Sequence, residues 1–227
     1  MVDGDVMSGP ASRIIRYAFP ERLMHWTAAV SYVYLLLTGL AFWTPALYWL
    51  AIVLGGGFLS RALHPIVGLI FAVVVAWMFA LWRRDMRTTP ADRQWRRAMG
   101  HYVRNEDGRV PPAGRFNYGQ KALFWLMVWG ALLLLVSGLV LWFPQAVPGD
   151  LRVVREIAVI VHAVTALLTI GGFIVHLYMG LAVVPGGLSA MLHGEVSERW
   201  ARHHHPLWAD HVRAAPPPPA RHGEPLR

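Results

Sequence analysis

IAVIVHAVTALLTIGGFIVHLYMGLAVV, residues 157–184, runs for 28 residues without an Asp, Glu, Lys or Arg. A helix needs about 20 apolar residues to cross the hydrocarbon core of a bilayer, so this stretch has length to spare for tilt. Three further stretches share its character: WTAAVSYVYLLLTGLAFW at 26–43, PIVGLIFAVVVAWMFALW at 65–82 and ALFWLMVWGALLLLVSGLVLWF at 122–143. The predicted spans cover about 26–48, 64–82, 121–143 and 157–184. Trp26, Trp43, Tyr48, Trp49, Trp82, Trp125 and Trp142 gather near their ends, as interfacial aromatic belts do. The fold class this predicts is all-α, an integral membrane four-helix bundle.

The composition agrees. Of 227 residues, 56% are hydrophobic and 15% charged, and the mean hydropathy is +0.40. Soluble domains average roughly 45–50% apolar and about 25% charged, so disorder is excluded and an ordinary soluble enzyme is disfavoured. The chain has no cysteine, which excludes disulfides, thiolate zinc sites, iron–sulfur clusters and cysteine nucleophiles. The net charge of +8 could suggest nucleic acid, but its placement follows the spans. Of the 21 Lys and Arg, three precede the first span, ten lie between 83 and 121, and five follow Val196. Only Arg61, Arg152 and Arg155 fall in the first and third connections. This asymmetry puts both termini and the long connection in the cytoplasm, with anionic lipid as partner and no nucleic acid.

The domain plan that follows is a cytoplasmic N-terminal segment at 1–24 and a bundle at 25–184 with a basic cytoplasmic loop at 83–120. A cytoplasmic interfacial segment at 185–211 and a disordered Pro-rich tail at 212–227 complete it. Residues 1–24 lack an apolar region of their own, so no cleaved signal peptide is expected and the first span serves as an uncleaved anchor.

Histidine carries the chemistry. An ionisable side chain inside a membrane is costly and marks function by default. His25, His64, His162 and His176 lie within or at the mouths of the spans. His162 and His176 are 14 residues apart, four turns less 40°, so they share one helix face about 21 Å apart. Counting span directions puts His25 and His176 at the cytoplasmic side and His64 and His162 at the periplasmic side. Two imidazole pairs stacked across a four-helix bundle suit two b-type haems, each held by two nitrogens. Zinc asks for about four ligands at one point, and these spans offer two per level. Two pairs so far apart also make a poor proton wire. Gly39, Gly68, Gly138, Gly171, Gly172 and Gly180 would admit a flat macrocycle close to the backbone, or equally serve helix packing.

Over 15–208 the chain resembles the gamma subunit, the membrane cytochrome b, of respiratory formate dehydrogenases. The resemblance rests on Glu21-Arg22…His25-Trp26, LHP at 63–65 followed by Gly68, NYGQK at 117–121, HLYM from His176, and GEVSERWARHHHPLW at 194–208. It implies haem-iron ligation by His25 with His176 on the cytoplasmic side, and by His64 with His162 on the periplasmic side. It also implies a quinone, ubiquinone or menaquinone, near Asn117, Gly119 and Gln120. Amide side chains at the mouth of the third span could hydrogen-bond a quinone carbonyl, although Asn117 is equally placed to cap that helix. The partners implied are an iron–sulfur beta subunit and a catalytic alpha subunit, in the bacterial cytoplasmic (inner) membrane. Formate oxidation itself would lie on the partner chain, and no catalytic residue is assigned here. A cytochrome b for a hydrogenase or thiosulfate reductase, and a haem-free membrane anchor, are the alternatives. The histidines at 203–205 read as the basic end of an interfacial helix.

Overall fold

The computed structural model describes residues 12–104 and 106–214. It is helical apart from one two-stranded ribbon. Four helices are long and apolar enough to cross a membrane: α1 (Phe19–Trp43), α3 (Gly57–Trp82), α6 (Tyr118–Trp142) and α7 (Arg152–Tyr178). A π-helical turn, Met179–Val183, extends the last of these. The short helix α2 (Trp49–Val53) lies between α1 and α3, and α4 (Pro90–Arg97) and α5 (Met99–Val103) lie in the long connection.

The helices reach beyond the charge-free stretches. Helix α1 starts at Phe19 because Glu21 satisfies its first turn, accepting the Ala18 amide at 2.8 Å. It stops at Trp43, short of the 48 expected from apolarity alone. Thr44 is extended ahead of Pro45, as a residue before proline prefers. Pro65 sits inside α3, where it can make no amide bond to the carbonyl four residues back.

Helix α1 packs on α3, α3 on α6 and α6 on α7. Helix α7 returns to α1 through Phe173 against Tyr32, ring centroids 5.1 Å apart. Met24, Ala28, Tyr32, Phe71, Val74 and Ala131 form the centre of the bundle. The outside is inverted relative to a soluble protein. Val30, Val73, Ile160 and Leu168 are each at least 60% exposed, a surface that only lipid covers at low cost.

At the end where α1 starts and α7 finishes, the chain builds a cap, and this end carries most of the cations. Strand β1 (Arg13–Ile15) pairs antiparallel with β2 (Glu195–Ser197), Ile14 opposite Val196. Helices α8 (Gly187–His193), α9 (Glu198–His204) and α10 (Pro206–Ala214) complete the cap. Its core joins Tyr17, Trp82, Phe116, Phe124, Val196 and Trp208, so the first and last described segments pack on the ends of α3 and α6. Helix α10 runs through residues 212–214, and the rest of the Pro-rich tail, 215–227, lies outside the described residues.

Candidate functional site

Four helix positions bring imidazoles together inside the bundle. Near the cap, His25 of α1 faces His176 of α7, with ring centroids 6.0 Å apart and planes 60° apart. Toward the other end, His64 of α3 faces His162 of α7 at 6.4 Å and 55°. Among the described residues no third His, Cys, Asp or Glu joins either pair in a metal-binding cluster. Each site therefore offers two nitrogen ligands and no carboxylate or thiolate.

That donor set fits haem. An imidazole nitrogen binds a first-row metal at about 2 Å and lies roughly 1.1 Å from its ring centre, so two rings on opposite faces of one iron have centroids about 6.2 Å apart. The two observed separations bracket that value. The backbone leaves room beside the rings at the far pair. A Cβ on Gly138 would meet His162 Cε1 at 3.3 Å, and one on Gly39 would meet His64 Cε1 at 3.8 Å. Other glycines serve helix packing instead: a Cβ on Gly172 would strike Leu126 of α6.

The far pair has hydrogen-bond partners that the near pair lacks. His64 Nδ1 lies 2.7 Å from Thr38 Oγ1, and His162 Nδ1 lies 3.0 Å from Ser137 Oγ. His25 Nδ1 is buried with no partner. Sequence reasoning passed over Thr38 and Ser137. A repeated tripeptide could have found them, since Thr38-Gly39-Leu40 in the first span recurs as Ser137-Gly138-Leu139 in the third.

Asn117, Gly119 and Gln120 sit at the start of α6, on the cap side. Asn117 Oδ1 accepts the Gln120 amide and Gln120 Oε1 accepts the Asn117 amide, both at 3.0 Å, a reciprocal capping box. Asn117 Nδ2 reaches Tyr102 Oη at 3.4 Å. A cavity of about 150 Å³ lies beside them, lined by Thr89, Asp92, Trp95, Asn117, Lys121 and Leu207 among others. Lys121 Nζ meets Asp92 at 2.8 Å, both side chains under 10% exposed. Burial pushes the Asp92 carboxyl up, but hydrogen bonds from Lys121 and Thr89 outweigh it and hold the pKa below the ordinary range.

Within the cap, Arg16 is 2% exposed, its guanidinium over the Trp208 ring at 4.5 Å and bonded to the Arg115 carbonyl. His205 stands 3.2 Å from it, and His205 Nδ1 is 2.8 Å from the Gly114 carbonyl. Burial, then the charge of Arg16, push the His205 pKa down to about 3, so the ring is neutral. Its Nδ1–H donates to the carbonyl and its Nε2 accepts from the guanidinium.

The model of one protein family, prokaryotic cytochrome b561, matches residues 16–194. The chain belongs to that family. Similar proteins include the cytochrome b556(fdo) subunit of formate dehydrogenase from Escherichia coli K12, 36% identical over 201 residues, which are 88% of this chain and 93% of that one. The cytochrome b556(Fdn) subunit of the nitrate-inducible formate dehydrogenase of the same organism is 31% identical over 203 residues, 89% and 93% of the two chains. The formate dehydrogenase cytochrome b556 subunit of Haemophilus influenzae is 30% identical over 197 residues, 87% and 82%. The chain is thus a multi-pass membrane cytochrome b of the formate dehydrogenase type, and haem b is the cofactor its family implies. The matched region takes in all four histidines and ends at Gly194, just before β2.

Proposed function

We propose that this cytochrome b passes electrons from an iron–sulfur subunit of a formate dehydrogenase complex, through two b haems, to a quinone on the cytoplasmic side. The observation that carries it is the pair of histidine separations, 6.0 and 6.4 Å, at two levels of one bundle. His25 and His176 would hold an inner haem and His64 and His162 an outer one, and haem supplies one-electron chemistry that no side chain here offers. The cap end is cytoplasmic in this reading because 16 of the 19 Lys and Arg among the described residues lie there, and the charge pattern of the sequence puts both termini on that side.

The side chains hold, orient and keep out water. Helix α7 carries one ligand of each pair, so a single rigid element fixes the spacing between the two sites. Tyr32, Phe71 and Phe173, with ring contacts of 5.1–5.5 Å, fill the centre of the bundle and exclude water there. At the start of α6, the capping box uses Gln120 Oε1 and leaves the side-chain Nε2–H to donate to a quinone carbonyl. Gly119 opens the backbone beside Trp95, whose ring a Cβ would meet at 3.9 Å. Asn117 supports that geometry through its cap. The catalytic alpha subunit and iron–sulfur beta subunit are the partners this reading requires, since the chain has no cysteine to hold a cluster.

The test is a dithionite-minus-oxidised spectrum of the purified chain with pyridine haemochrome quantitation. Two b haems per chain are expected, falling to one in His162→Ala and in His176→Ala. A flat spectrum from correctly inserted protein would leave a haem-free anchor in its place.

A further inference from the structure

We infer that Thr38 and Ser137 are positioning residues that fix the outer histidines as strong ligands and make the outer haem the poorer electron acceptor of the two. This rests on the two-haem reading above.

The hydroxyl protons are already committed. Thr38 Oγ1 lies 2.8 Å from the Tyr34 carbonyl and Ser137 Oγ 2.6 Å from the Leu133 carbonyl, each one turn back in its own helix. A carbonyl can only accept, so each hydroxyl donates there and turns its lone pairs to the imidazole. His64 Nδ1 and His162 Nδ1, at 2.7 and 3.0 Å, must then be the protonated nitrogens. That leaves both Nε2 lone pairs for the pair's shared centre, the tautomer a metal ligand needs. Thr38 is fully buried and Ser137 nearly so, at 0% and 4% exposed, so water does not compete for either contact.

The device occurs twice, from two different helices onto two different histidines. In each the residue after the hydroxyl is the glycine facing the Cε1 of the same ring, Gly39 to His64 and Gly138 to His162. A hydroxyl at Nδ1 followed by a glycine at Cε1 forms one small motif; a Cβ would crowd the ring at Gly138, at 3.3 Å, and make ordinary contact at Gly39, at 3.8 Å. The inner pair has no counterpart. His25 Nδ1 is buried and unpartnered, and among the described residues no group hydrogen-bonds the ring of His176.

The asymmetry has an electronic consequence. An imidazole that donates its Nδ1–H to a fixed acceptor is a more basic ligand. Greater basicity stabilises ferric over ferrous iron, so the outer site holds an electron less tightly than the inner one. Electron passage from the outer site to the inner site is then downhill, the direction a quinone at the cap end requires.

The test is a potentiometric titration of the full chain in detergent, comparing wild type with Thr38→Val, Ser137→Ala and the double variant. His162→Ala and His176→Ala assign the two components. Loss of the lower-potential component in His162→Ala is expected, and of the higher one in His176→Ala. The double variant should raise the lower potential by about tenfold in the oxidised-to-reduced ratio, about 59 mV for one electron, leaving the other unmoved. Thr38→Ser should restore the value lost in Thr38→Val, which a packing role for the methyl group would not do. Loss of the outer haem from Thr38→Val with retention in Thr38→Ser would support the same role. A double variant with both haems at wild-type potentials overturns the inference, as does the reverse order of the two components. A wild-type chain without haem would overturn the function reading itself, and the spectrum separates that failure from the others.

Discussion

The bundle and the cap of this protein hold together by opposite means. In the bundle, bulky apolar side chains such as Val30 and Leu168 point outward, and the interior has few polar contacts beyond the histidines and their hydroxyls. The cap is dense with charge. Glu21 takes hydrogen bonds from Trp82 Nε1 and Arg115, both at 2.6 Å. Arg115 also meets Asp85 at 2.7 Å, and Lys121 is buried against Asp92. Glu198 gathers Ser12, Arg202 and Arg213, and the hydrogen bonds of Ser12 and Arg202 first of all pull its pKa to about 2. Lipid holds helices upright without asking for specific partners, whereas a segment outside the membrane must satisfy its own polar groups. The difference implies that bundle substitutions alter chemistry first and cap substitutions alter stability first.

The largest effect expected on the bundle side is chemical. His64→Ala should halve the haem content and leave membrane insertion unchanged, measured by haemochrome assay and by the yield of membrane-bound chain. Insertion failing along with haem would break the contrast. On the cap side, Asp92→Asn leaves Lys121 buried without its counter-charge, a loss of about 3–5 kcal/mol for a buried pair. Faster limited proteolysis of the 83–121 connection would register it. The pair Asp92→Leu with Lys121→Met should recover most of the loss, because two apolar residues can replace a buried ion pair.

Acid should act on the cap. His205 has a folded pKa of about 3 against an ordinary 6.5. Below about pH 6.5 the unfolded cap binds a proton that the folded cap refuses, so stability falls toward pH 3 by at most about 1.4 kcal/mol per pH unit. A His205→Asn chain should lose that slope in cap proteolysis between pH 6.5 and 4, and retention of the full slope would assign the acid sensitivity elsewhere. The smallest effect belongs to the lipid face. Leu168→Ala should change thermal stability in detergent by less than about 0.5 kcal/mol, as exposed sites do. A cost like that of Asp92→Asn would mean a protein surface covers that face.

What could be read from the residues divides along the same line. Charge-free runs of about 20 residues report spans directly, and the 14-residue step between His162 and His176 reports a shared face. The ribbon of Arg13–Ile15 with Glu195–Ser197 could not be seen, because strands of three residues have no period and their partners lie at opposite ends of the sequence. The neutral, buried His205 was hidden inside a run of three histidines that reads as the basic end of an interfacial helix. Its two neighbours, His203 and His204, do lie in α9, and only the third turns inward. Thr38 and Ser137 were missed for another reason. A hydroxyl in a span usually bonds its own helix, and its second contact depends on a histidine in another helix.

The ribbon also sets an order of events during synthesis. Its first strand leaves the ribosome before any span, and its second only after all four have been made. At about 5–20 residues per second, Arg13–Ile15 waits roughly ten to forty seconds for a partner. Arg16 waits longer still for the side chains of His205 and Trp208. The cap is therefore a seal that closes only on a finished chain, and a truncated or wrongly threaded one is left open to proteases.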